Sequence, residues 1–189
     1  MNTPAHLIFG AAAFSKPDQK RSFLSAVLGS LAPDLSLYVM VGVSIFLLGA
    51  SPQIVFREYY YSDLWQSVFA VDNSFVVWGL FLGLALWRGW KLLSIFASAA
   101  LLHLSLDFPL HTHDARQHFW PLSDWVFVSP VSYWDNRAHA GVVGPLELSL
   151  SFGLAGYMLW LHQHWGVRIA VLVFLVAELL SSGIWRFVF

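Results

Sequence analysis

The chain has 189 residues, of which 58% are hydrophobic and only 11% charged, and its mean hydropathy is +0.63. A soluble domain has about a quarter of its residues charged, so this composition belongs to an integral membrane protein. A net charge of -1 and a pI near 6.7 leave no basic face for nucleic acid, and the lack of cysteine excludes disulfides, thiol nucleophiles and thiolate zinc sites.

A bilayer core about 30 Å thick takes roughly 20 helical residues. In chain order, apolar runs cover Pro4 to Phe14, Phe23 to Ala50, Ser74 to Trp87, Leu92 to Leu106, Leu146 to Leu161 and Val167 to Val188. They predict an all-α polytopic membrane bundle of about six helices, forming a single integral membrane domain over 1–189, with two longer interfacial loops. The first run has no leading Lys/Arg cluster, and Lys16, Lys20 and Arg21 follow it, so signal cleavage is not expected. Pro33 and Asp34 interrupt the second run, and Pro33 is expected to kink or break that helix.

The connections fall at 15–22, 51–72, 88–91, 109–144 and 162–167. Lys16, Lys20, Arg21, Arg88, Lys91 and Arg168 lie in or beside the first, third and fifth of these, whereas the two long ones carry only Arg57, Arg116 and Arg137. The positive-inside rule then turns both termini and both long loops outward. Those loops are rich in Tyr59, Tyr60, Tyr61, Trp65, Trp120, Trp125, Tyr133 and Trp134, which predicts that they lie along the outer membrane surface.

An ionisable residue inside an apolar span is costly unless paired, hydrated or bound to an ion, which makes each one a functional candidate. Asp34 sits 13 residues beyond Arg21, about 20 Å up an ideal helix, and His103 and Asp107 sit about 18 Å and 24 Å above Lys91. His6, Asp72 and Glu147 mark the outer starts of their helices, so six positions converge on one depth. His103 and Asp107 are spaced i, i+4 and share a helix face, where they can reach a common ion; imidazole and carboxylate suit zinc, manganese or iron equally. They can equally pair with each other or with Arg116. Pro109 ends that helix near Phe108, leaving His111, His113, Asp114 and His118 in a loop above the site. Glu178 has no evident partner and reads as a packing contact; His162 and His164 read as ordinary residues of the inner surface.

Three segments resemble a family. Pro4-Ala5-His6-Leu7-Ile8-Phe9-Gly10, then Leu28-Gly29-Ser30-Leu31-Ala32-Pro33-Asp34, then Leu102-His103-Leu104-Ser105-Leu106-Asp107 followed by Trp120-Pro121 are similar to the YdjM/YbcI-like bacterial membrane-bound metal-dependent hydrolases. The resemblance covers the first two thirds of the chain. It implies a small helical protein of the bacterial inner membrane, with His6, Asp34, His103 and Asp107 as ligands of a divalent metal, zinc foremost, on the periplasmic side. Where the family pattern reads P-D-x-D-H, this chain has Pro33-Asp34-Leu35-Ser36-Leu37, so a second acid and a histidine are missing.

The implied reaction is hydrolysis of a lipid or amphiphilic phosphate or carboxylic ester at the outer leaflet, with Asp72 or His111 taking the proton. Membrane lipids are the expected partners, with a membrane-protein partner in the competing view, a noncatalytic accessory subunit or metal-binding scaffold within a larger complex.

Overall fold

Serine side chains set several of the helix starts. In the computed structural model, which describes residues 1–17 and 19–188 and the side chains of all of these except 182–188, Ser51 and Ser62 cap two short helices, and Ser74 accepts hydrogen bonds from the amides of Val76 and Val77 at 3.1 Å each. Such caps satisfy amides that a helix start leaves without carbonyl partners. The helices are α1 (Thr3–Phe14), α2 (Lys20–Gly42), α3 (Pro52–Arg57), α4 (Asp63–Asp72), α5 (Phe75–Trp87), α6 (Lys91–Asp107), α7 (Ala140–Leu161) and α8 (Trp165–Val188). The described residues contain no strand, so the all-α expectation holds.

Three boundaries differ from the sequence reading. The connection 51–72 is not a plain loop but holds α3 and α4, so Asp72 ends a helix rather than starting one. Helix α7 begins at Ala140, six residues before Leu146, and runs through Pro145; so near the helix start, that proline forfeits only the bond to the Gly141 carbonyl. Helix α2 also runs unbroken through Pro33 and continues as a π-helical turn over Val43–Leu47. Packing against α1 and α6 holds it together at the proline, as neighbouring helices do for prolines in membrane spans.

Three helical stretches, Lys20–Leu47, Asp63–Trp87 and Ala140–Leu161, are long and apolar enough to cross a membrane. The outward faces agree, with Phe46, Leu80, Leu86 and Trp160 largely exposed. This is a membrane protein.

Helix α1 is the axis of the bundle and contacts α2, α6, α7 and α8. Its Ile8 and Ala11 pack in one apolar cluster with Phe23, Ala155, Met158 and Val171. Small residues bring α1, α2 and α6 close together, as is usual where apolar burial cannot distinguish protein from lipid. Gly10 faces Ser30 and Ala99, and Gly29 lies on the backbone of Phe96. Ala97, Ala99 and Ala100 are fully buried along α6. Beyond the last turn of α1, His162 is buried rather than at the surface, and its Nε2 lies 2.9 Å from Ser15 Oγ.

Candidate metal centre

The small-residue contacts fix the register of three helices. Counting four residues, one helical turn, from Gly10 on α1 leads to His6, from Ser30 on α2 to Asp34, and from Ala99 on α6 to His103. The three side chains therefore meet directly beyond the layer where the backbones are closest. Asp107 adds the next turn of α6. The meeting point lies at the end of the bundle away from the Lys16–Arg21 and Arg88–Lys91 turns.

The rings of His6 and His103 stack with centroids 3.6 Å apart and planes inclined by 11°. His6 Nε2 lies 2.8 Å from Asp107 Oδ1, and His103 Nε2 lies 3.2 Å from Asp107 Oδ2 and 3.6 Å from Asp34 Oδ1. His103 Nδ1 donates to the Ser30 carbonyl at 2.7 Å. That bond fixes the tautomer, because a carbonyl only accepts, and leaves Nε2 of the neutral ring with a lone pair. Nε2 is buried without a hydrogen-bond partner, between two carboxylates. A lone pair facing two anions needs a positive centre, either a proton on the ring or a cation held in common.

The donor set fits a cation. His6, His103 and Asp107 each offer one ligand atom, all within 4.8 Å of one another and all buried. Bonds of about 2.0–2.2 Å to a tetrahedral zinc put ligand atoms roughly 3.4 Å apart, so coordination asks the ligand atoms to close in and the two stacked rings to tilt toward a common point. The Nδ1 bond to a backbone carbonyl is the outer-shell support that metal-binding histidines ordinarily have. Asp34 is steadied too: Thr3 Oγ1 donates to its Oδ2 at 2.5 Å, and Tyr38 donates to Thr3 Oγ1 at 2.7 Å. The Met1 amine also donates to Asp107.

All four residues named from the sequence as ligands are thus brought together. His111 joins them from the loop, with Nε2 at 3.2 Å from Asp107 Oδ2 and Nδ1 at 2.7 Å from Asp114 Oδ2. Burial pulls the His111 imidazole down, but the Asp107 and Asp114 carboxylates outweigh it and hold it up at about 9. Burial likewise pushes Asp114 up, and the contact with His111 reverses this and holds it at about 2. Asp72 lies elsewhere and does not line the cavity beside the cluster. Glu147 and Glu178 lie behind His6, where Glu147 Oε1 accepts from the Asn2 amide at 2.7 Å and Glu178 Oε1 from Asn2 Nδ2 at 3.0 Å. Glu178 therefore has a partner after all.

A cavity of about 130 Å³ opens beside the cluster; Asp34, Asp107 and His111 line it together with apolar Leu37, Val41 and Phe56. The connection after α6 covers it as a folded cap. Phe108 stacks on Phe127 at 4.9 Å, Ser129 donates to the Pro109 carbonyl at 2.6 Å, and Trp134 Nε1 donates to Asp114 Oδ2 at 3.2 Å. Two aromatic residues predicted for the membrane surface, Tyr60 and Trp65, are instead buried in a cluster with Val55 and Phe69. Trp125, Tyr59 and Tyr61 do remain exposed.

Sequence reasoning missed Thr3, Ser30 and Tyr38, which act through a hydroxyl or a backbone carbonyl. The only available signal was the one-turn spacing of Ser30 from Asp34. Arg116, weighed there as a partner of His103 or Asp107, pairs with neither. No family model matches the chain, and neither does any curated protein or solved structure.

Proposed function

We propose that this protein is a membrane-bound metal-dependent hydrolase of the bacterial inner membrane, acting from the periplasmic side on a lipid or amphiphilic ester. The observation that carries the reading is the buried convergence of His6, His103 and Asp107, with His103 Nε2 aimed between two carboxylates while its other nitrogen is tied to Ser30. The resemblance to the YdjM/YbcI-like hydrolases names the same residues. The concentration of Lys and Arg at the opposite end of the bundle supports a periplasmic site.

His6, Asp34, His103 and Asp107 would hold the metal, zinc foremost. When bound, a divalent cation supplies Lewis acidity, activating water and polarising an ester or phosphoryl oxygen. The chain supplies the rest. Ser30 orients the His103 ring, and Thr3 with Tyr38 orients Asp34. Of the two candidates for proton transfer, only His111 lines the cavity and touches Asp107; held at about 9 between Asp107 and Asp114, it suits giving a proton to the leaving group rather than taking one from water. The apolar wall accommodates the substrate's chain and keeps water from the reacting atoms.

One observation favours the competing scaffold reading: Leu122, Trp125 and Val128 are exposed on the cap, which suits a membrane-protein partner as well as lipid. Elemental analysis of the detergent-purified chain, combined with a phospholipid hydrolysis assay, tests both. The hydrolase reading expects bound zinc with turnover, and loss of both in His103→Ala and Asp107→Ala. Undiminished metal in the two variants overturns it, and metal without turnover favours the scaffold.

A further inference from the structure

The cavity beside the metal centre holds a cation that the centre does not use. Arg116 is 8% exposed. Its Nη2 donates to the Tyr60 hydroxyl at 2.6 Å, and its guanidinium carbon lies 4.0 Å from the centre of the Phe69 ring and 4.7 Å from that of Tyr60. The aromatic rings hold the guanidinium in place but bring no anion. Among the described residues no carboxylate lies within ion-pair distance of it, and its Nη1 is buried with no hydrogen-bond partner. Arg116 lines the same cavity as Asp34, Asp107, His111 and Asp114, and its charge reaches the Asp114 carboxylate without an ion pair between them.

A buried guanidinium that no carboxylate pairs directly is costly, and its rigid fork of donors suits an oxyanion with two or more acceptor oxygens. We infer that Arg116 anchors the phosphate group of an anionic amphiphile whose apolar chain lies along Leu37, Val41 and Phe56. The inference rests on the hydrolase reading and narrows its substrate, because the two ester classes left open above differ in one respect that matters here. A carboxylic ester is uncharged and would leave Arg116 unpaired, whereas a phosphate mono- or diester keeps an anionic oxygen whichever of its other oxygens is esterified. The binding step uses the donors the protein leaves unused, the hydrogens of Nη1 and the second hydrogen of Nη2, whose first stays with Tyr60.

The test is equilibrium binding to the full detergent-purified chain, with zinc content measured on the same samples. The probes are dihexanoyl phosphatidate, inorganic phosphate and dihexanoylglycerol, the last identical to the first but without phosphate. Wild type is expected to bind phosphatidate at least 10-fold more tightly than either other probe. Arg116→Gln should weaken phosphatidate binding by about 10- to 100-fold, the loss typical of a charged hydrogen bond, while dihexanoylglycerol binding and zinc content stay within 2-fold. Arg116→Lys keeps the charge without the fork and should fall between the two; it serves as the test if the glutamine variant does not fold.

Phosphatidate binding within 2-fold of wild type in both variants overturns the inference, and so does equal affinity for phosphatidate and dihexanoylglycerol. Equal affinity for phosphatidate and inorganic phosphate overturns the amphiphile and identifies free phosphate as the ligand. Zinc-dependent hydrolysis untouched by Arg116→Gln would defeat this inference and leave the hydrolase reading standing. Arg116-dependent phosphatidate binding in a chain that takes up no zinc would do the reverse.

Discussion

Gly10 lies against Ser30 one helical turn from His6 and Asp34, so closely that a methyl group in its place would come within 1.8 Å of Ser30 Oγ and 3.1 Å of Ser30 Cβ. At Gly29 the same addition would meet the Phe96 carbonyl oxygen at 2.1 Å, and backbone cannot swing aside as a hydroxyl can. Gly29→Ala should therefore cost about 1–3 kcal/mol or more and Gly10→Ala less, both with reduced zinc content. Gly79→Ala and Gly83→Ala meet nothing within 4 Å, and as helix-interior replacements they should be neutral or slightly stabilising. Thermal unfolding in detergent separates the pairs; equal effects at all four positions would contradict the close-contact account.

Thr3 and Tyr38 form a hydroxyl chain that ends on Asp34. Thr3→Val removes the donor on the carboxylate at little change in volume, and loss of such outer-shell support typically weakens metal binding 10- to 100-fold. Tyr38→Phe leaves Thr3 in place and should have a smaller effect. Competition with a zinc chelator measures both, and an unchanged affinity in Thr3→Val would show that Asp34 is not a ligand.

The His111–Asp114 contact gives stability a defined pH window. The folded value of His111, about 9, lies above the ordinary imidazole value near 6.5, so its contribution is complete below about 6.5 and is lost as pH rises through 9. Asp114 is held at about 2, below an ordinary value near 3.9, so its contribution is present above about 4 and is lost as pH falls through 2. In metal-free protein the pair is at full strength between about pH 4 and 6.5. Asp114→Asn should lower the His111 pKa, read by NMR of the imidazole, and should flatten the alkaline loss of stability. Parallel melting profiles for wild type and variant between pH 6.5 and 9 would contradict this.

Glu147 ties the first residues of the chain to α7 through the Asn2 amide. Glu147→Ala leaves that buried amide without its acceptor, at a cost of about 1–3 kcal/mol. The variant should melt earlier and lose zinc in proportion, because the displaced segment leads directly into His6. A melting temperature equal to that of wild type would mean that water or Glu178 replaces the lost acceptor.

The helical membrane architecture was legible because it rests on composition and run length, which sequence displays directly. The four candidate ligands were legible for a related reason: Asp34, His103 and Asp107 are conspicuous in apolar surroundings, and His6 opens an apolar run. Boundaries were harder. Residues 51–72 look polar enough for a loop, and the two caps at Ser51 and Ser62 resemble any serine in a turn. Pro33 suggested a break because a helix considered alone should suffer one, whereas α1 and α6 supply the packing that carries α2 through. Arg116 and Tyr60 could not be paired from sequence, since 56 residues separate them and only the folded cap brings the guanidinium onto the ring.

Helix α1 has 12 residues, about 18 Å of rise, too little to traverse a bilayer alone. Lipid cannot fix its height or rotation, and its seat is built by walls from both ends of the chain, α2 and α6 on one side, α7 and α8 on the other. Asp34, His103 and Asp107 can come together on α2 and α6 alone. The imidazole at position 6 is therefore seated by α7 and α8 as well as by α2 and α6, so cation affinity at the proposed centre would depend on helices that carry no ligand of their own.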